Sequence, residues 1–325
     1  MMLSKSAIAF IGATVALLQP AAADDYPSRA VTFIVPYAAG GATDQLARTL
    51  GQHLEAKLGK PFVIENKPGA SSAVGATFVS KSPADGYTIL MGTSTTMAIN
   101  ASVFKKLSYQ PLVELTPVAL IANSPFVLVV NNDLPVKTVA DLVELAKKRP
   151  GELTYASSGP GSAHHLDMQL LASMTGIKLV HAPYKGSLPA LNDIVGGHVQ
   201  MMFSDMSAAL PLIRSGNVRA LGISTAKRSA EAPEIPSVAE GGVPGYDAAA
   251  WQMVIAPTKT PGDVLDKLHM TLREFQKTGE FKTAVSRRGL EPVVTSSRPE
   301  LIRFVEEEIV RWRKVVSDAG LLNVP

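Results

Sequence analysis

The sequence predicts an α/β protein built as two lobes, and three observations carry that prediction. Strand-like apolar runs alternate with helical patterns over most of the chain. The part that follows an apolar leader is roughly 300 residues, more than one core usually takes. A strand, a glycine-containing turn and a helix also occur together twice, once around Gly40 and once around Gly161.

The leader comes first. "MMLSKS" carries one Lys, "AIAFIGATVALL" is a short apolar core, and "QPAAA" ends with small residues at Ala21 and Ala23. This pattern predicts a secretory signal peptide over residues 1–23, cleaved after Ala23. The apolar run is short for a membrane span. The mature protein is therefore expected to be soluble and exported, with a periplasm fitting best. There is no Cys, so neither disulfide staples nor a lipidated N-terminal Cys is available. Lys and Arg number 31 against 28 Asp and Glu, a formal charge of +3 that becomes +2 once Lys5 leaves with the leader. A chain this near neutrality offers no broad basic surface, and no nucleic acid is expected as a partner.

The elements follow in order. "AVTFIV" is β-branched and apolar, a buried strand. "TDQLARTLGQHLEAKLG" places Leu46, Leu50, Leu54 and Leu58 four apart, one face of a helix. "PFVIEN" is the next strand, and the later part of "KPGASSAVGATFVSKS" is a helix. Asp85-Gly86 turns the chain into "YTILMGTST", a strand with a small polar tip. "PVALIANSPFVLVVN" reads as two strands or one long bent strand. "KTVADLVELAKKRPG" is a helix with a Thr138-x-x-Asp141 capping pattern, ended by Pro150-Gly151. "LTYASSGPGSAHHLDMQLLASMTG" repeats the opening plan: strand, glycine turn, helix. Ser162 is its expected N-cap, Leu166, Leu170 and Met174 its buried stripe, and Gly176 its C-cap. Then come a strand in "IKLVHAPYKG", a helix in "LPALNDIVGG", a strand "VQMMFSD" ending at Asp205, a helix "SAALPLIRSGN" and a strand "VRALGIS". A Pro/Gly-rich connection leads to the strand "AAAWQMVIAP" and two C-terminal amphipathic helices.

Each glycine turn exposes N–H groups at the positive end of a helix, where an anion is stabilised. The same glycines would serve as plain turn residues in a scaffold without a ligand. Two such turns in different lobes predict a shared cleft suited to a dicarboxylate, one carboxylate at each helix start. The lobe limits expected from the pattern are 24–122 with 247–325 for one lobe and 123–246 for the other, with "PFVLVVN" and "AAAWQMVIAP" as crossing strands.

Nine segments, in this order and spacing, resemble a known family along nearly the whole mature chain: "IVPYAAGGATD", "VIENKPGASSAVGA", "DGYTILMG", "YASSGPGSAHHL", "HAPYKGSLPAL", "GGHVQMMFSD", "VRALGIS", "PSVAEGGVPGY" and "WQMVIAPTKTP". The chain resembles the Bug family, the periplasmic solute-binding receptors of tripartite tricarboxylate transporters. The resemblance implies a two-lobed binding protein of type II-like fold that closes on a ligand. It also implies delivery of a small carboxylate (a di- or tricarboxylate, an amino acid or an aromatic carboxylate) to the membrane subunits of such a transporter. No cofactor, no metal and no catalysis are implied, and the receptor is expected to act as a monomer.

Carried over residue by residue, the first turn supplies Tyr37, Ala38, Gly40, Gly41, Ala42, Thr43 and Asp44. The polar tip supplies Thr93, Ser94 and Thr95, and the second turn Ser157, Ser158, Gly161, Ser162 and His165. Tyr184 and Asp205 complete the set, Asp205 matching a position that meets a ligand amino group in some members. Two departures stand out: Ser71 and Ser72 replace frequent glycines, and Ala39 replaces a frequent proline.

Other roles compete at several positions. Thr43 and Ser162 could act as caps alone, each contributing about 1 kcal/mol. Asp44, an anion beside an anion site, is read as mainly structural, bonding loop N–H groups. Asp205 could cap the helix after it. His164 and His165 point about 100° apart on a helix, and His165 is the one assigned to the cleft or its flank. Met168, Met174, Met201 and Met202 read as core, and Trp251 as core at the lobe junction. The competing functions are an exported Ser/His hydrolase, for which no Gly-x-Ser-x-Gly elbow is present, and an orphan receptor that hands its ligand to a sensor. A metal protein has little support without Cys or a His-Glu-x-x-His motif.

Overall fold

The computed structural model describes residues 26–184 and 186–323; the expected signal peptide lies outside the described residues. The strands sort into two sheets. Among the described residues the first has six strands and the second five.

In the first sheet, β1 (Val31–Val35) pairs in parallel with β2 (Phe62–Asn66) and β3 (Thr88–Thr93). β10 (Ala250–Pro257) lies antiparallel between β3 and β4 (Leu115–Ser124), and β11 (Glu291–Pro292) closes the far edge. In the second sheet, β6 (Thr154–Ser157) is parallel to β7 (Val180–Pro183) and β8 (Met201–Asp205), while β5 (Phe126–Val130) is antiparallel to β8 and β9 (Arg219–Ile223).

"PVALIANSPFVLVVN" is thus two strands, and the chain changes sheets at the single residue between them, Pro125. It returns through the connection from Ser224 to Ala249, tied by Val238 N–H to Ile223 O and Ala248 N–H to Ser224 O, both 2.8 Å. Neither expected crossing strand spans both sheets: β5 lies wholly in the second and β10 wholly in the first.

Local chemistry explains most helix limits. α1 (Ala42–Leu58) is N-capped by Gly41 and ends at Gly59, whose left-handed φ of 74° lets its N–H reach Glu55 O. Leu46, Leu50 and Leu54 are buried, each contributing about 1.5–3 kcal/mol by leaving water. α4 (Val139–Lys148) begins in a full capping box between Thr138 and Asp141. α5 (Ala163–Thr175) is capped by Ser162 and stopped by Gly176. Met174, expected in its buried stripe, is 41% exposed. The reason is packing: α5 lies against β6, β8 and the C-terminal helix α10 (Arg298–Asp318). Its first turns, Ala163 to Met168, are buried on all sides while its last turn emerges. Four elements escaped the sequence pattern: a short π-helical turn at Thr95–Ile99, a helical turn at Asn100–Val103, α9 (Gly279–Ser286) and the edge strand β11.

The largest apolar cluster draws on both sheets, joining Ile34, Leu90 and Met253 of the first to Leu128, Met201 and Phe203 of the second. Trp251, 2% exposed, lies in it as expected. Its indole and that of Trp312 on α10 both donate to Glu308, at 2.8 and 2.9 Å. The first sheet and the C-terminal helix are thereby locked together behind the two glycine turns.

Candidate functional site

The first turn leaves β1 and enters α1. Gly40 takes a φ of 87°, which an L side chain rarely adopts. Ala38, Gly40 and Gly41 are exposed, and Tyr37, Ala42 and Thr43 half-buried. Thr43 lies one residue inside α1, so the cap is the glycine before Ala42 and not the threonine hydroxyl. Asp44 is buried and fully engaged. Its carboxylate accepts from Gly40 N–H at 2.9 Å, Asn66 Nδ2 at 2.9 Å, and Arg48 Nε and Nη2 at 3.0 Å. Burial pushes the carboxyl up, but those bonds outweigh it and hold Asp44 below the usual range. The aspartate ties down the turn, as expected from its charge.

The polar tip follows β3 beside this turn. Thr93 Oγ1 is 2.8 Å from Tyr37 Oη. Burial pushes the Tyr37 phenol up, so it stays a neutral donor–acceptor. Ser94 is wholly buried and its Oγ has no hydrogen-bond partner; the same holds for Gln252 Oε1 and Asn100 Oδ1. Gln252 sits opposite Thr93 in the sheet register and donates to Ser124 Oγ at 3.1 Å. It is missing from the residues expected on sequence, although a lone amide in the apolar run "AAAWQMVIAP" was the available signal.

The second turn leaves β6 and enters α5, with Gly159 at φ 128° and Gly161 at φ 70°. Ser157 is buried, donates to Gly159 O and sits 2.6 Å from His181 Nε2. Ser162 accepts from His165 N–H and donates to Gly159 O at 2.7 Å, a cap and a turn clamp together. His165 Nδ1 accepts from Gly161 N–H at 3.0 Å, and its ring stacks on His181 at 3.9 Å. Burial pushes His165 down to about 3, with His181 adding to the effect. His165 is thus a neutral brace of the turn that packs into its own lobe.

Its neighbour His164 links the turn to the ends of β8 and β5, all within the second sheet's side. His164 Nδ1 is 2.7 Å from Ser158 Oγ and the ring lies against Phe126 at 4.4 Å, while the buried Nε2 is within ion-pair reach of Asp205 Oδ2 at 3.4 Å without a hydrogen bond. Asp205 occupies the N-cap position of α7 (Met206–Arg214), yet its side chain caps nothing. It accepts from Ser187 Oγ, at the start of α6 (Ser187–Val195), and approaches His164. Burial pushes Asp205 up, but the charge of His164 and these hydrogen bonds outweigh it and keep the carboxyl below its ordinary range. Tyr184 donates to Asp193 at 2.6 Å, half-buried at the rim.

The two walls touch on both flanks. Ser71 Oγ donates to Pro160 O at 3.2 Å. Gly161 packs so closely on Val103 that a Cβ there would lie 2.8 Å from its Cγ1. On the other flank a Cβ on Gly289 would collide with Met206. Ser71 and Ser72 keep glycine-like backbones: with Ala70, their φ values are 45°, 49° and 74°. Left-handed geometry costs about 1–2 kcal/mol per L-residue. Asn100 Nδ2 holds this strained stretch by donating to Ser71 O at 2.8 Å, and Ser72 Oγ is 2.9 Å from Thr96 Oγ1.

Two surface depressions of about 260 and 420 Å³ lie at the opposite end of the second sheet, around Asn131 to Lys137. The guanidinium of Arg219 in the larger one is spent on backbone carbonyls of Leu134, Val136 and Asn132. The two turns hold a different resource: each places a helix start at the end of a strand, one in each sheet.

The family described as tripartite tricarboxylate transporter family receptor matches residues 46–321. Protein BugT of Bordetella pertussis is 37% identical over 310 residues, covering 95% of this chain and 94% of that protein. Among solved structures, R. palustris Rpa4515 with adipate shares 41% identity at a TM-score of 0.85, over 91% of this chain and 99% of that one. MatC from Rhodopseudomonas palustris with bound malate shares 32% at 0.80, over 90% and 100%. The periplasmic binding protein BugD shares 32% at 0.83, over 91% and 99%. Fold and sequence agree along the whole described chain, and the protein belongs to the tripartite tricarboxylate transporter receptor family.

Proposed function

We propose that this protein is a periplasmic receptor that captures a small dicarboxylate between its two glycine turns and delivers it to the membrane subunits of a tripartite tricarboxylate-type transporter. The observation that carries the reading is the pairing of α1 and α5, two helix starts from different sheets on turns whose walls meet at Ser71 and Pro160. The first N–H groups of a helix have no intrahelical acceptor and bear its positive end. Two such ends suit two carboxylates. The adipate and malate held by the related structures are both of this class.

Tyr37, Gly41, Thr93, Ser94, Thr95 and Ser158 supply the hydroxyl and backbone groups of the reading. Ala38, Ala42 and Thr43 shape the first turn, while Asp44, Ser157, Gly161, Ser162 and His165 hold the two turns in position. Tyr184 and Asp205 border the ligand. The lobes expected at 24–122 with 247–325 and at 123–246 are taken to divide at the sheet change at Pro125, since β4 runs to Ser124 in the first sheet, and closing them seals the ligand in. The orphan polar atoms on Ser94, Asn100 and Gln252 support this use, because a buried polar group without a partner costs about 1–3 kcal/mol.

Calorimetry and thermal melting with adipate and malate test the reading. Ligand at about 100 times its dissociation constant stabilises the fold by about 2.7 kcal/mol, a melting shift of several degrees. The monomethyl esters should shift it far less. Esters that bind as well as their acids overturn the two-ended mechanism, and turnover of an ester would favour a hydrolase instead.

A further inference from the structure

The chain Asp205–His164–Ser158 runs from the end of β8 to the second glycine turn, along one wall of the site. A serine hydroxyl has one proton to donate. With the imidazole neutral and its proton on the Nε2 side toward Asp205, Nδ1 is an acceptor and consumes that proton. Ser158 then turns only lone pairs to the site, which repel a carboxylate. With the imidazole protonated, Nε2–H faces Asp205 and Nδ1–H donates to Ser158 Oγ. The Ser158 O–H is then released toward the ligand.

We infer that His164 is a positioning residue that sets the hydrogen-bond polarity of Ser158, so that capture of a dicarboxylate is coupled to uptake of one proton. This inference rests on the carboxylate-receptor reading above and adds its regulation. Asp205 stabilises the charged imidazole and Ser187 holds Asp205 in place. Ser157 offers no such switch to the ligand, because it is wholly buried.

Among the described residues, the groups that face His164 are few. Asp205 approaches from the end of β8, Ser158 from the turn, and Phe126, which does not titrate, from β5. On its own helix, His165 is pushed down to about 3, and Asp167, wholly buried, is pushed well above the carboxylate range. His181, beyond His165, is lowered by burial. Histidine is the side chain that changes charge between about pH 5 and 8, and His164 is the one here that lies between Asp205 and Ser158.

The test is calorimetric titration of adipate and malate from about pH 6.5 to 8.5, where both ligand carboxyls stay ionised, in buffers of different ionisation enthalpy. Affinity should fall by at least about fivefold with rising pH, since a charge-assisted hydrogen bond is worth roughly 10- to 100-fold. The apparent enthalpy should vary with the buffer in the sense of proton uptake. His164→Asn keeps an N–H donor toward Ser158 that cannot titrate. It should flatten the profile, abolish proton uptake and match or exceed the unmodified protein at the alkaline end. Asp205→Asn removes the counter-charge and should move the fall to lower pH; melting curves verify that both variants fold. Binding that changes less than about twofold across this range, or a pH slope that survives in His164→Asn, overturns the inference alone. If neither dicarboxylate binds at any pH, the receptor reading falls and the inference with it.

Discussion

The two glycine turns solve one geometric problem with different chemistry. The first is held by a carboxylate: the buried Asp44 gathers Gly40 N–H, Asn66 and Arg48 around it. The second is held by three histidines, with His181 on Ser157, His164 on Ser158 and His165 on Gly161. A permanently charged brace makes the first turn indifferent to pH over the working range. An imidazole-backed turn can change what it offers. The same backbone plan therefore gives one fixed wall and one that responds to protons.

Steric surroundings differ as well, and the largest expected effect comes from that difference. A methyl added at Gly40 would have nothing within 4 Å, whereas a methyl on Gly161 meets the buried Val103. Gly161→Ala combines left-handed strain with overpacking and should cost about 2–4 kcal/mol in chemical denaturation. Gly40→Ala should cost about 1–2 kcal/mol, from strain alone. Equal losses would show that the two turns are not differently packed.

Next in size is removal of a single donor. Gly41 has a φ of −72°, which a proline ring fits, and its carbonyl still accepts from Gln45. Gly41→Pro therefore deletes one N–H with little disturbance to the fold, and calorimetry with adipate should find about 10- to 100-fold weaker binding. Undiminished affinity would remove the first turn from the site.

Asp44→Asn probes the fixed wall. Loss of its charged hydrogen bonds should destabilise the fold by about 1–3 kcal/mol at pH 7, little of it from the ion pair, because Arg48 is half exposed. The folded pKa lies below the unfolded value near 3.9. The stabilisation is thus complete above that value and lost as pH falls through the folded pKa. Denaturation at pH 7 and at acid pH should show the gap between variant and parent narrowing on the acid side. The smallest effect is expected from Ser162→Ala, about 1 kcal/mol for a lost cap, read as a melting shift of a few degrees.

Much of this molecule is settled by local letters. Gly59 and Gly176 end their helices and Thr138 with Asp141 starts one, because caps depend on residues within four positions. The alternation of strands and helices, and the two strand–glycine–helix units, were legible for the same reason. So was the structural use of Asp44, since a carboxylate one turn into a helix meets the N–H groups just before it.

Tertiary structure alone decided the rest. That His164 rather than His165 lies between Ser158 and Asp205 depends on which way α5 rolls between β8 and α10, and adjacent letters carry no trace of it. The burial of Ala163 to Met168 and the exposure of Met174 follow from that same packing. The left-handed run at Ala70, Ser71 and Ser72 is tolerated only because Asn100, Thr96 and Pro160, distant in sequence, supply its hydrogen bonds. Sequence determines what each short segment prefers, because those preferences arise from near neighbours. Which polar groups meet across a cleft is decided by the docking of two sheets, an outcome that belongs to no single segment.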